Sequence, residues 1–114
     1  MTQNNPNLVR GTLDLLILKS LSWEPRHGYG ISEWVEHVTN GGLLMEEGTL
    51  YPALHRLRGR GLVESEWGVS ENNRKAKYYQ LTSQGQRWLM DQSEAWHRHA
   101  EAVTRALAME GPNG

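Results

Sequence analysis

The stretch that decides the fold is Met45-Glu46-Glu47-Gly48-Thr49-Leu50-Tyr51-Pro52-Ala53-Leu54-His55-Arg56-Leu57-Arg58-Gly59-Arg60-Gly61. Leu50, Leu54 and Leu57 recur at i, i+4 and i+7, so they share one face of a helix. His55, Arg56, Arg58 and Arg60 fall elsewhere on the cylinder. One side of this short helix is built to pack, and the other carries donors and positive charge. Gly59 and Gly61 end it. Pro52 removes one donor and presses its ring on the residue four back, but that residue is Gly48, which eases the strain. Glu46 and Glu47 suit the positive end of the helix dipole. They would also repel phosphate approaching that end.

On the C-terminal side, residues 62–67 and 76–81 read as two strands. The loop 68–75 joins them as a hairpin, with Arg74, Lys75 and Lys77 clustered at its exit. Tyr78 and Tyr79 must point to opposite faces of their strand, one to the core and one over the hairpin. Thr82 is a good N-cap for a last helix running to about residue 109.

On the N-terminal side, residues 8–21 form a first helix, with Thr12 as its N-cap and Asp14 in the first turn. Leu13, Leu16, Ile17 and Leu21 share a face that Leu15 and Leu18 widen, which predicts a buried central helix. Residues 23–28 read as a turn, stopped by Pro25 and opened by Gly28. Residues 30–39 form a second helix with Ile31, Trp34, Val35 and Val38 on its packing face. Asn40-Gly41-Gly42 breaks the chain, and residues 43–45 are expected as a very short strand. The fold class is therefore mainly α with a small β-hairpin. Two helices feeding a third, followed by a hairpin, is the winged helix-turn-helix arrangement, in which the third helix enters the major groove.

The last helix, at about 1.5 Å per residue, makes a rod of about 40 Å, longer than the preceding domain can cover. Yet Leu89, Trp96, Ala100, Val103 and Leu107 make an apolar stripe along it, broadened by Trp88, Ala102 and Ala106. A stripe that projects beyond its own domain calls for a second copy, so these residues are expected at a homodimer interface. The expected division is a flexible arm at 1–7, a DNA-binding domain at 8–82, a dimerisation helix at 83–110 and a tail at 111–114.

Composition narrows the function. The chain has 114 residues, 38% of them hydrophobic, and no cysteine. That suits one domain and excludes disulfides, thiol catalysis and zinc–cysteine sites. It also fits a reducing cytoplasm, the expected location. The N-terminus lacks the pattern of a signal peptide, and the apolar run Leu15-Leu16-Ile17-Leu18 is far too short to span a bilayer. Net charge is only −1, but it is unevenly spread: −3 over residues 1–54, +3 over 55–79 and −1 over 80–114. A local positive patch is what phosphate contact requires. Glu94, His97 and Glu101 share a side of the last helix and read as a solvated face rather than a metal site. No Ser-His-Asp set, phosphate loop or paired-carboxylate site is apparent, so neither an enzyme nor a cofactor is expected.

The motifs Gly11-Thr12-Leu13-Asp14-Leu15-Leu16-Ile17-Leu18, His27-Gly28-Tyr29, Gly48-Thr49-Leu50-Tyr51-Pro52-Ala53-Leu54, Arg58-Gly59-Arg60-Gly61-Leu62 and Lys77-Tyr78-Tyr79-Gln80-Leu81-Thr82 occur in that order. Together they resemble the PadR family of bacterial transcriptional regulators, in its small subclass with a single C-terminal helix. The resemblance implies a winged-helix homodimer that usually represses nearby genes from palindromic operator DNA. It implies DNA contacts at Thr49, Tyr51, Pro52, His55 and Arg56 on the recognition helix, and at Arg74, Lys75 and Lys77 on the wing. Of the helix arginines, Arg56 is preferred over Arg58, which lies about 200° away around the helix. Many relatives release DNA on binding a small, often aromatic compound, and some stack it on a tryptophan placed like Trp96. The sequence departs from the family pattern at Glu46, where relatives often carry a small capping residue, and at Trp34, unusual there for its size. Two rival readings use the same residues: a ligand sensor centred on Trp96, and a winged helix used only for protein contact.

Overall fold

The computed structural model describes residues 6–112, with side chains described for residues 11–112. Four helices and a small sheet follow one another as α1 (Pro6–Ser20), β1 (Arg26–His27), α2 (Gly28–Val38), α3 (Glu47–Gly59), β2 (Val63–Val69), β3 (Lys75–Leu81) and α4 (Ser83–Leu107). The sheet is antiparallel with the order β1-β3-β2. The expected arm at 1–7 falls mostly outside the described residues.

The apolar spacing of α1 does what it predicts: Ile17 and Leu18 are fully buried, with Leu13 and Leu21 beside them. The leucine trio of α3 closes on them, Leu50, Leu54 and Leu57 being at most 1% exposed. Ile31 and Val35 of α2, Val63 of β2, Tyr79 of β3 and Leu89 of α4 complete one core. Each fully buried leucine contributes about 1.5–3 kcal/mol.

The ends of these elements have local causes. Arg26 donates from Nε to the Ser20 carbonyl at 2.7 Å, placing a cation at the C-terminus of α1. Helix α2 ends with Asn40 at φ 57°, the Asn40 amide donating to the His37 carbonyl and the Gly41 amide to the Glu36 carbonyl. Helix α3 ends the same way, with Gly61 at φ 77° and its neighbour Leu62 donating back to the Leu57 carbonyl. A left-handed residue just past a helix allows both closures.

Thr82 caps α4 as expected, its Oγ1 accepting from the Gly85 amide at 2.9 Å while donating to the Gly61 carbonyl at 2.7 Å. Gly85 is required there, because a Cβ would lie 2.0 Å from the Leu62 carbonyl oxygen. The start of α4 is thus locked to the end of α3. Arg60 reinforces this join by lying 5.2 Å over the Trp88 ring.

Four expectations are corrected. Thr12 is not a cap, since α1 begins at Pro6 and Thr12 lies inside it. The segment 43–45 forms no strand; Thr39 Oγ1 accepts from the Leu43 amide and holds it as a loop. The third strand is instead β1, inside the segment read as a turn. Helix α2 also starts earlier than residue 30, because His27 caps it, Nδ1 accepting from the Gly30 amide at 3.0 Å. Trp34 is accommodated at the rim of the core, tilted against the exposed Trp23 at 5.9 Å.

Candidate nucleic-acid interface

With Leu50, Ala53, Leu54 and Leu57 turned inward, α3 presents Thr49, Tyr51, Pro52 and His55 to solvent. Its N-cap, Glu46, is extended and makes no side-chain capping bond. The Tyr51 ring lies against the start of α2, where a Cβ on Gly28 would sit 2.4 Å from the phenol oxygen. The glycine of His27-Gly28-Tyr29 therefore makes room for the tyrosine of Gly48-Thr49-Leu50-Tyr51. Two motifs far apart in sequence form one contact that orients an exposed side chain, Tyr51 remaining 44% accessible.

Arg56 is placed otherwise than expected. Its Nη2 lies 2.5 Å from Oδ1 of Asp14, whose side chain is only 6% exposed. The guanidinium is turned back beneath the helix onto α1, and its Nε is buried without a hydrogen-bond partner among the described residues. This placement gives Arg56 a structural role between α3 and α1. Arg58 instead reaches outward, donating to Ser65 Oγ at 3.3 Å.

The wing is set by its register. Ser65 faces Tyr79, Trp67 faces Lys77 and Val69 faces Lys75 across the β2–β3 ladder. Residues directly opposite project from the same side of a sheet. That side is buried at its base, through Val63 and Tyr79, and open at its tip, through Trp67 and Val69. The Lys75 and Lys77 ammonium groups lie 5.0 and 5.6 Å from the Trp67 ring centre. Burial, with the Tyr51 phenol nearby, pushes the Tyr79 phenol above its usual range, although Arg58 acts the other way. The tip turns through Ser70–Arg74, closed by a bond from the Ser70 amide to the Arg74 carbonyl at 2.8 Å.

The wing is also tied to α2. The imidazole that caps the helix through Nδ1 meets Glu71 Oε1 through Nε2 at 3.2 Å. Accepting at Nδ1 leaves Nε2 as the donor. This bond to His27, aided by Glu71's own backbone, holds the Glu71 carboxyl below its ordinary range. Tyr78 packs edge-on to the same imidazole at 5.3 Å and donates to the Val69 carbonyl at 3.2 Å.

Between α3, the start of α2 and the wing runs an open groove of about 810 Å³, lined by His27, Gly28, Tyr29, Tyr51, Trp67, Lys75, Lys77 and Tyr79 among others. Of the expected contacts, Tyr51, Lys75 and Lys77 meet here. Thr49, Pro52 and His55 lie exposed on α3, and Arg74 on the wing tip. Trp67 and the His27–Glu71 link were not singled out from sequence, and Tyr29 was quoted only within a family motif. The alternation of Glu64, Glu66 and Gly68 with Ser65, Trp67 and Val69 was the available signal for Trp67. The stripe on α4 expected at a homodimer interface divides: Leu89 is buried within this chain, whereas Trp96, Val103 and Leu107 are 42%, 42% and 80% exposed. No helix among the described residues is long and apolar enough to cross a membrane.

The sequence model of the transcriptional regulator PadR-like family matches residues 17–91. The chain is 33% identical over 84 residues to the Transcriptional regulator YqjI of Escherichia coli, an alignment covering 74% of this chain and 39% of that protein. The fold is similar to a transcriptional regulator from Clostridium thermocellum, with a TM-score of 0.78 at 28% identity over 87% of this chain and 96% of that one. It is also similar to a PadR family transcriptional regulator from Eggerthella lenta, with a TM-score of 0.74 at 35% identity over 91% and 88% of the two chains. A winged helix with these motifs and these relatives belongs to the PadR-like family of transcriptional regulators.

Proposed function

We propose that this regulator is a homodimeric repressor whose α3 reads a palindromic operator while its wing grips the flanking backbone. The observation that carries the reading is the groove itself: Tyr51 of α3 and Lys75 and Lys77 of the wing border one open channel. Thr49, Tyr51, Pro52 and His55 are assigned to the helix side, with Thr49 and Tyr51 donating hydrogen bonds to phosphate or base edges. Arg74, Lys75 and Lys77 are assigned to phosphate on the wing side. The protein would be located in the cytoplasm, with the DNA-binding unit at 8–82 and the dimerisation helix at 83–110. Trp96, half exposed and edge-on to His97 at 5.8 Å, is the proposed seat of a small aromatic effector that releases DNA. The expectation of no catalytic activity stands on the family's regulatory character.

The test is a mobility-shift titration of the full chain on the DNA upstream of its own coding region, against a mixed-sequence duplex. The upstream DNA should bind more tightly, and both affinities should fall steeply as salt rises, because neutralising phosphates releases counterions. Replacing Arg74, Lys75 and Lys77 together should weaken both duplexes alike and make the salt dependence shallower. Absence of a complex on either duplex at low salt would sink the reading.

A further inference from the structure

The wing tip leaves a large aromatic residue in water without an evident structural use. Trp67 is 59% exposed, and Val69 beside it is 65% exposed. Burial against the core cannot account for either. Both belong to the face that continues upward from Val63 and Tyr79, and Trp67 borders the groove with Tyr51. The two cations of that face, Lys75 and Lys77, converge on the Trp67 ring. Lysine side chains are otherwise long, flexible and costly to order.

We propose that Trp67 is a positioning residue of the DNA interface, an aromatic platform that holds the Lys75 and Lys77 ammonium groups for adjacent phosphates of duplex DNA. This rests on the DNA-binding reading above. An ammonium over an indole face is held weakly by the ring quadrupole. That attraction is enough to bias a rotamer but leaves the donors free to engage an anion. The open edge of the ring, with Val69, then packs against the sugars between those phosphates. The partner is a duplex polyanion rather than an apolar protein surface, because this apolar patch carries two cations directly over it.

The full chain labelled with 5-fluorotryptophan gives a separate fluorine signal for each tryptophan, and Trp67→Phe identifies the one that matters. Adding a mixed-sequence duplex should shift the Trp67 signal and leave those of Trp23 and Trp34 in place. Trp67→Leu should weaken binding about three- to fivefold on every duplex. It should also flatten the salt dependence toward that of a Lys75→Gln, Lys77→Gln variant, a change that simple loss of contact area would not cause. Trp67→Phe, which keeps a ring, should retain most of the affinity. Because Trp67 is largely exposed, the thermal midpoint of each variant should stay near that of the wild type. An unmoved Trp67 signal, or wild-type affinity and salt dependence in Trp67→Leu, overturns the proposal. Failure of the wild-type chain to bind any duplex would instead remove the DNA-binding reading on which it rests.

Discussion

Arg56 shows how a single residue can have a partner that helix geometry alone does not reveal. Its position on the cylinder suits a groove-facing arginine, yet Asp14 lies 42 positions earlier in the chain and captures it. Nothing in local spacing signals that pairing, because it exists only once α1 and α3 pack. Breaking such a pair takes the guanidinium from a carboxylate whose side chain is only 6% exposed. Arg56→Ala should therefore destabilise the fold by about 1.5–3 kcal/mol, the worth of one charge-assisted hydrogen bond. Adding Asp14→Asn should recover part of the loss, since the amide carries no charge for the guanidinium to balance. Urea denaturation of the two single variants and the double variant measures the coupling. Unchanged stability in Arg56→Ala, together with selective loss of operator over mixed DNA, would return Arg56 to base reading. The leucine trio of α3 was legible for the opposite reason: its burial follows from periodicity along one element. Tyr51 falls between the two cases. Its exposure could be read from the helix, but its support by Gly28 could not.

At the scale of elements, the helices were legible because each carries many apolar positions at one period. Strand β1 was not, because two residues carry no period and its pairing with Tyr78 and Tyr79 is decided by tertiary packing. His27 was missed for a related reason. Its capping role goes with a tautomer whose Nε2 faces Glu71 in the wing-tip loop, 44 positions away. That link makes the wing's attachment sensitive to acid. Glu71 has a lowered carboxyl pKa in the folded chain, so its contribution is present above the ordinary carboxylate range. It is lost as pH falls through the lowered value. Amide exchange at residues 70–74, corrected for its intrinsic pH dependence, should therefore report greater wing opening in acid. In Glu71→Gln the opening should be larger at neutral pH and nearly independent of acid over the same range. An acid response identical in the two proteins would place the sensitivity elsewhere.

At the scale of the whole molecule, α4 gives the chain its elongated extents of 59 × 32 × 22 Å. It is joined to the end of α3, through Thr82 on the Gly61 carbonyl and Gly85 against Leu62, so its packing bears on where α3 points. Its buried residues, Gly85 and Leu89, both lie in its first third, and every residue from 101 to 112 is exposed. The apolar positions Val103 and Leu107 lie in that projecting part. If α4 served a monomer, Leu107→Glu would change little, as an exposed substitution usually costs less than about 0.5 kcal/mol. If it pairs with a second α4, the same change buries an unpaired charge and should dissociate the assembly. Sedimentation should give the wild type twice the chain mass of 13.0 kDa, and Val103→Glu combined with Leu107→Glu close to 13.0 kDa, with helix content kept by the winged domain. The dissociated form should lose operator affinity far more than mixed-sequence affinity, because two recognition helices can no longer address half-sites about one turn apart together. A wild-type chain that sediments as a monomer when bound to its operator would refute the dimer. It would also leave the exposed stripe of α4 to a different partner.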